Sequence, residues 1–152
     1  MSGKTAHKIQ NDPVVQFSVF IENKVGRLLD IIKLIESHNT HVLALTTIDS
    51  TDSSITRMVV DDPDCARRLF LENALAFTES NILVIELDST TDLQKVLSAL
   101  LMVETNIHYI YSFIFRPRST SALAMSVDDP EVASLGLGQQ GFKVLHQKDI
   151  SR

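Results

Sequence analysis

The sequence has very little cysteine and few aromatic residues. Its 152 residues include one cysteine, no tryptophan and 6% aromatic residues in all. The single cysteine, Cys65, cannot form a disulfide within the chain or complete a C-x-x-C metal or redox motif. The shortage of aromatic side chains also argues against a surface that stacks nucleic-acid bases. These absences disfavour disulfide-rich, thiol-redox and base-stacking proteins.

Clusters of basic residues and long apolar runs are missing as well. The chain has 14 Lys and Arg against 19 Asp and Glu, a net charge of −5 and a pI near 5.4. Nucleic acids and anionic membranes require clustered positive charge, so we predict no nucleic-acid or membrane partner. No apolar run approaches the ~20 residues of a membrane span, and Met1 to Asp12 lacks the apolar core of a signal peptide. The sequence therefore predicts a cytoplasmic protein.

Hydrophobic residues make up 44% of the chain, enough for one ordinary domain or two small ones. The first ordered stretch alternates in the period of a strand with one buried face. Its apolar positions are Val15, Phe17, Val19 and Ile21. The next stretch has apolar residues at helical spacing, which predicts an amphipathic helix. These positions are Leu28, Ile31, Ile32 and Ile35.

A glycine corner, Glu22-Asn23-Lys24-Val25-Gly26-Arg27-Leu28, joins this strand to this helix. The free N–H groups at a helix start, with the positive end of the helix dipole, can hold a carboxylate. Gly26 can let a ligand approach the main chain, although a lone glycine is as readily explained by a tight turn. We predict that any binding chemistry lies at this corner.

The chain continues as a hairpin and a capped helix. Strands are predicted over 42–48 and 55–60, and Asp62 with Pro63 opens a helix that runs to about Asn73. The inward residues of this helix are predicted to be Ala66, Leu69 and Phe70. A short separate strand is expected at 76–79.

The pattern then starts again. Leu93 and Leu100 follow Leu28 and Ile35 at a constant offset of 65 residues (93 − 28), and a second Asp-Asp-Pro step at Asp128 follows Asp61 by 67 (128 − 61). Strands are predicted over 82–87, 107–115, 122–127 and 141–145, and a short helix over 131–137. The helix after the second corner is expected to start with a capping box of Thr91 and Gln94. Its predicted inward residues are Leu93, Val96, Leu97 and Leu100.

The sequence therefore predicts two βαββαβ units in tandem. The predicted fold class is α+β, with two tandem ferredoxin-like domains that have antiparallel sheets and helices on one face. The predicted boundaries are a disordered tail over 1–12, a first domain over 13–79 and a second over 80–150. A sheet covered on one face needs protection elsewhere, so the units should pack together or form a homodimer.

The duplicated pattern with the glycine corner resembles the ACT domain. The stretch from Phe17 to Leu28, the segment from Asn106 to Phe113 and the two Asp-Asp-Pro steps resemble small proteins made of two ACT domains. The resemblance covers Val14 to Ile150. It implies an amino-acid-binding regulatory protein, and alternatively an interaction subunit of a biosynthetic enzyme such as acetolactate synthase that has no ligand of its own.

The resemblance also implies a binding site. Main-chain N–H groups of the first corner would take the effector carboxylate, and the start of the second strand of the second repeat would face this corner or the corner of a symmetry mate. The implied ligand-binding residues are Asn23, Val25, Gly26, Arg27, Leu28, Asn106 and Ile107. The family corner usually has proline where this chain has Val25. Thr91 replaces the glycine in the second corner and His41 stands where the second repeat has Asn106, so at most one half-site per chain is expected.

Other functions find less support. The histidines lack accompanying cysteines, so no metal site or cofactor is predicted. Cys65 lies in a structural helix and no G-x-S-x-G corner is present, so we predict no enzyme activity. RNA-recognition modules share this topology and stack bases on strand aromatics, which here are Tyr109, Tyr111, Phe113 and Phe115. Because acidic residues outnumber basic ones, we predict that these rings pack between the domains. Arg116 and Arg118 are interpreted as a solvated turn.

Overall fold

A computed structural model of the chain describes residues 12–22, 24–116 and 120–151. The chain divides into two compact units. The N-terminal unit comprises Val15–Asn81, and the C-terminal unit comprises Ile82–Ile150 with residues 12–14. Within the described residues no helix is long and apolar enough to cross a membrane.

The N-terminal unit follows the predicted order of elements. These are strand β1 (Val14–Glu22), helix α1 (Arg27–Glu36), strands β2 (Val42–Asp49) and β3 (Ser53–Val60), helix α2 (Pro63–Glu72) and the first half of strand β4 (Ala76–Leu87). The strand order is β2-β3-β1-β4, and β3 pairs antiparallel with both β1 and β2. This is the order of a ferredoxin-like βαββαβ unit.

The C-terminal unit repeats this order with its own elements. The second half of β4 is followed by helix α3 (Asp92–Met102), strands β5 (Ile107–Ser112) and β6 (Ser121–Val127), helix α4 (Pro130–Gln139), strand β7 (Val144–Leu145) and helix α5 (Gln147–Ile150). Strand β4 pairs with β6 and with β7, and β6 pairs with β5, all antiparallel. The predicted fold class is confirmed.

The duplication extends to the backbone at the helix ends. Asn39 and Glu104 have φ values of 56° and 54°, and each lies at the end of the first helix of its unit. After the second helix of each unit, Ala74 and Gly141 have φ values of 54° and 86°. A left-handed residue lets the chain turn back and satisfy the last helical carbonyls. Accordingly, the N–H of Leu75 donates to Phe70 O and that of Phe142 donates to Leu137 O, each at 3.0 Å.

Each unit has its own hydrophobic core between sheet and helices. The buried N-terminal core is Phe17, Val19, Ile21, Ile31, Ile35, Met58, Val60, Ala66 and Phe70. The buried C-terminal core is Leu83, Ile85, Val96, Ala99, Leu100, Met125, Val127, Ala133 and Leu137. The rings of Phe17, Phe70 and Phe77 contact one another, with centroids 5.4–6.0 Å apart, whereas Phe142 is the aromatic residue described against the C-terminal core.

Both Asp-Asp-Pro steps start helices as predicted. The Asp62 carboxylate accepts a hydrogen bond from Cys65 N at 3.2 Å, and the Asp129 carboxylate accepts one from Val132 N at 3.2 Å. The following prolines, Pro63 and Pro130, occupy first-turn positions where a missing N–H costs nothing.

Several predicted details are wrong. Thr91 makes no side-chain cap, so the capping box with Gln94 does not form. Leu93 and Leu97 are 46% and 44% exposed rather than inward. The two strands expected at 76–79 and 82–87 form one continuous strand, β4. Strand β5 ends at Ser112, so Phe115 lies beyond it and is 59% exposed.

Candidate functional site

The N-terminal corner is an open turn at the start of α1. Gly26 is the N-cap residue, with φ 86° and ψ −9°, and no side chain of the described residues caps the helix. A positive φ favours glycine by itself, so the turn explains this residue without a ligand. An added Cβ at Gly26 would have no atom of the described residues within 4 Å.

The first turn of α1 has main-chain donors without acceptors in the described part of the chain. Arg27 N donates to Lys24 O at 3.3 Å and Asp30 N donates to Gly26 O at 3.0 Å. The N–H groups of Leu28 and Leu29 have no acceptor among these residues. Such donors lie at the positive end of the helix dipole, where an anion is stabilised.

Three charged side chains surround this corner. Lys24 Nζ lies 3.0 Å from Glu22 Oε2, and both side chains are largely exposed. The hydrogen bond from Lys24 lowers the pKa of the Glu22 carboxyl below its ordinary value, and the charge of Arg27 contributes less. The Nε atom of Arg27 is buried and has no hydrogen-bond partner within the described residues. The charges of Glu22 and Lys24 offset each other in this ion pair, so Arg27 supplies the positive charge that remains at the corner.

The C-terminal corner is built differently. Asp92 Oδ2 accepts hydrogen bonds from Asp88 N at 2.8 Å and from Ser89 N at 3.1 Å. The bond from Asp88 is the main reason why the pKa of the Asp92 carboxyl lies below its ordinary value. Asp92 N donates to Ser89 O at 3.2 Å, which matches the Arg27-to-Lys24 bond 65 residues earlier (92 − 27). The chain therefore places its own carboxylate on two main-chain donors of the turn that precedes this helix.

The cavities described in the C-terminal unit lie beside this second corner. One of about 240 Å³ is lined by Glu86, Asp88, Ser89, Asp92, Lys95, Gln140, Gly141, Phe142 and Lys143. An adjacent one of about 290 Å³ shares Lys95 and Gln140 with it. The cavity of about 240 Å³ is lined by acidic and basic side chains and lies beside the donors that Asp92 occupies, whereas Lys95 is the charged residue that lines the other.

The predicted site residues fall into two groups. Val25 is fully exposed, Gly26 is exposed, and Arg27 and Leu28 are half-buried, with Leu28 packed against the N-terminal core. Asn23 lies outside the described residues.

Asn106 and Ile107 belong to the C-terminal unit. Asn106 is exposed, and its carbonyl accepts a hydrogen bond from Asp128 N at 3.1 Å. Ile107 pairs with Val127 and packs against the C-terminal core, so it has a structural role.

The sequence analysis missed a His–Asp contact that occurs in each unit. His41 Nδ1 lies 2.8 Å from Asp61 Oδ2, and His108 Nε2 lies 2.8 Å from Asp128 Oδ1. Each histidine precedes its aspartate by 20 residues (61 − 41 and 128 − 108), a repeated spacing that could have revealed the contact. The aspartates are the first of each Asp-Asp-Pro step, and these steps had been interpreted only as helix starts. No group of three metal-ligating side chains occurs among the described residues.

Arg116 is also placed differently from the prediction. Its side chain is 7% exposed, and Nη2 donates to Glu86 Oε1 at 2.9 Å. Thr120 Oγ1 donates to the same oxygen at 2.7 Å. Arg116 is therefore a buried ion-pair residue and not part of a solvated turn, while Arg118 lies outside the described residues.

Similar solved structures agree with this architecture. Protein BT0572 from Bacteroides thetaiotaomicron is 25% identical with a TM-score of 0.83, covering 94% of this chain and 99% of that one. The regulatory subunit of aspartate kinase from Thermus thermophilus is 12% identical with a TM-score of 0.60, covering 84% of this chain and 91% of that one. The corresponding subunit from Thermus flavus is 14% identical with a TM-score of 0.51, covering 85% and 93%. No curated protein sequence matches.

A family assignment follows from the sequence as a whole. The family model for the ACT domain pair matches residues 13–152, nearly the entire chain. The match spans both units, including both corners and both Asp-Asp-Pro steps. The chain therefore belongs to the ACT domain family, as an ACT domain pair.

Proposed function

We propose that this ACT domain pair is a regulatory protein that binds an amino acid, with the ligand carboxylate at the N-terminal corner. The observation that carries the proposal is the contrast between positions 27 and 92. Arg27 supplies a cation with an unpartnered buried Nε, whereas Asp92 supplies a carboxylate that accepts two main-chain hydrogen bonds. The N-terminal corner thus lacks an anion of the kind that the C-terminal corner already contains.

In this proposal the helix start supplies main-chain donors and Arg27 supplies a charged one. Hydrogen bonds from an ionised donor to a carboxylate are stronger than neutral ones. Gly26 keeps the approach open, and Val25 and Leu28 border it together with Asn23. Asn106 and Ile107 of a second copy complete the proposed site in a homodimer.

The proposal assigns the chain a regulatory role, in the cytoplasm, without catalysis or a cofactor. Two features support it: the chain is an ACT domain pair, and its fold is shared by proteins named as regulatory subunits of aspartate kinase.

A thermal-shift screen with each proteinogenic amino acid tests the proposal. A ligand that binds only the folded chain at 100 times its Kd adds about 2.7 kcal/mol to the free energy of unfolding. We expect at least one amino acid to raise the Tm. The substitution Gly26→Asp should abolish this rise because it places a carboxylate at the corner.

The matched control is Thr91→Asp, which adds a carboxylate at the equivalent position of the C-terminal corner. It should leave the ligand-induced rise unchanged. A flat screen with all amino acids at millimolar concentration, or an undiminished rise in Gly26→Asp, would refute the proposed site.

A second candidate function is docking onto a biosynthetic enzyme without a ligand. One observation favours it: Phe20, Ile55 and Ile48 form a cross-strand row on the sheet face opposite the N-terminal core. Phe20 and Ile48 are each 45% exposed. Rows of exposed apolar side chains of this kind mark protein contacts. A flat amino-acid screen together with a stoichiometric enzyme partner in native purification would favour this function over the first.

A further inference from the structure

The first turn of α1 has a cation before an acid. Arg27 is the first residue of the helix, directly after the N-cap Gly26, and Asp30 follows three residues later. The positive end of the helix dipole disfavours a cation at this position and favours an acid. In α3 the order is the reverse, because the equivalent residues 65 positions later are Asp92 and Lys95 (92 − 27 and 95 − 30). Arg27 therefore does not serve the stability of its helix.

Asp30 places an exposed carboxylate beside this cation. The two residues lie about 60° apart around the helix, so they are neighbours on its surface. No ion pair joins Arg27 and Asp30, and the Asp30 carboxylate makes no hydrogen bond or ion pair with any described residue. The first turn thus presents one charge of each sign next to the main-chain donors of Leu28 and Leu29. An amino acid carries the complementary pair, a carboxylate and an ammonium on one carbon atom.

Two exposed apolar residues flank these charges. Leu29 is 55% exposed and Val25 is fully exposed. The equivalent positions of the C-terminal corner are Gln94 and Thr90, which are also exposed but polar (94 − 29 and 90 − 25). The same turn and helix form with polar residues there, so the fold alone does not require the apolar ones. Because helical side chains tilt towards the N-terminus, Leu29 leans towards the free donors.

We infer that the ligand of this corner is an amino acid with an uncharged, apolar side chain. The inference rests on the proposed function and adds Leu29 and Asp30 to the proposed site. The ligand carboxylate takes the main-chain donors and Arg27. Its ammonium lies beside the carboxylate of Asp30, and its side chain contacts Leu29.

The balance of charge at the corner sets this class of ligand. Glu22 and Lys24 offset each other in their ion pair, and Arg27 and Asp30 are matched by the two charges that every amino acid has. No charge then remains for a charged ligand side chain. An acidic ligand would bring a second carboxylate towards Asp30, and a basic ligand would bring a second cation towards Arg27. Like charges at such distances weaken binding.

Isothermal titration calorimetry with matched probes tests this class of ligand on the unmodified chain. The apolar probes are leucine, isoleucine, valine and methionine. The comparison probes are glycine, glutamate, lysine and the deaminated analogue of the tightest apolar probe, which is 4-methylpentanoate in the case of leucine. The tightest apolar amino acid should have a Kd at least about tenfold lower than each comparison probe, because each of these lacks one contact or adds an unmatched charge.

Two substitutions separate the contacts of the ammonium and of the side chain. Asp30→Asn should raise the Kd of the apolar amino acid at least about tenfold and leave that of its deaminated analogue unchanged, because the analogue has no ammonium to lose. Glu36→Gln is the matched control, since Glu36 is an exposed acid at the end of the same helix, and it should change neither Kd. Leu29→Gln should bring the Kd of the apolar amino acid close to that of glycine, with glycine itself unaffected.

The results separate this inference from the proposed function. Glutamate or lysine that binds as tightly as the apolar amino acids would overturn the inference and leave the proposed function standing. An Asp30→Asn chain that binds the amino acid and its deaminated analogue equally weakly would do the same, since Asp30 would then act only on the structure of the corner. No binding of any proteinogenic amino acid would refute both. The probe series needs no variant, so it decides the inference even if a substituted chain fails to fold.

Discussion

The two corners start equivalent helices in opposite ways. The N-terminal corner turns on Gly26 in the left-handed region and leaves main-chain donors beside Arg27. The C-terminal corner has Asp92 at the position equivalent to Arg27, and its carboxylate accepts two main-chain hydrogen bonds. The comparison shows how one duplicated turn can carry a cation in one copy and, in the other, a carboxylate that accepts hydrogen bonds from the turn before the helix.

The largest difference that we predict between the units is in their cores. Phe70 and Leu137 occupy equivalent helix positions 67 residues apart (137 − 70), and both are fully buried. Phe70→Ala should lower the free energy of unfolding by about 3–5 kcal/mol, and Leu137→Ala should lower it by about 2–5 kcal/mol. Phe70 should cost more, because its ring contacts Phe17 and Phe77 and aromatic pairs add roughly 0.5–1.5 kcal/mol each. Urea unfolding measures both, and a larger loss for Leu137→Ala would contradict the expectation.

A smaller effect on the free energy of unfolding should distinguish the helix pair of the C-terminal unit from that of the N-terminal unit. A methyl group at Gly136 would lie 2.9 Å from Val103 Cγ1, whereas the position 67 residues earlier is the buried Leu69 (136 − 69). Gly136→Ala should lower the free energy of unfolding by about 1–3 kcal/mol through overpacking. This loss should exceed the ~1 kcal/mol by which alanine is favoured over glycine in a helix.

Gly138→Ala in the same helix is the control for this effect. Nothing lies within 4 Å of its added Cβ, so it should be neutral or stabilising. If both variants gain stability, the close approach of α4 to Val103 is not a constraint.

The smallest effect should be the pH dependence of the C-terminal corner. The pKa of Asp92 is lowered chiefly by the hydrogen bond from Asp88 N. The ionised carboxylate therefore stabilises the fold above its ordinary pKa of 3.8, and this contribution is lost as pH falls through the folded pKa. The Tm difference between the unmodified chain and Asp92→Asn should be largest near neutral pH and vanish in acid.

A Tm difference between the unmodified chain and Asp92→Asn that is the same in acid as near neutral pH would mean that the ionised Asp92 carboxylate does not stabilise the C-terminal corner.

The sequence predicted most of the fold because the signals were local. Alternation around Phe17, helical spacing around Ile31, and the Asp62-Pro63 start each involve residues close along the chain. The capping box at Thr91 failed for a related reason: Ser89, two residues earlier, takes the hydrogen bond from Thr91 N and contacts the Thr91 hydroxyl. The exposure of Leu93 and Leu97 was not predictable, because helical spacing shows that a stripe is apolar but not what covers it.

The sequence analysis proposes a location for the candidate site but not its contacts. The glycine corner was visible in the sequence, but the unpartnered Nε of Arg27 and the bonds to Asp92 depend on how side chains fold back onto the turn. The burial of Arg116 against Glu86 spans 30 residues, and no local pattern reports such a contact.

The order of strands and helices, the duplication and the two Asp caps follow from the sequence by itself, because they depend on spacing and on neighbours within a few residues. The tertiary structure decided which leucines remain exposed and which charges meet across 20 or 30 residues. Those outcomes depend on the distances between segments far apart in the chain, and packing fixes such distances only after both units have folded.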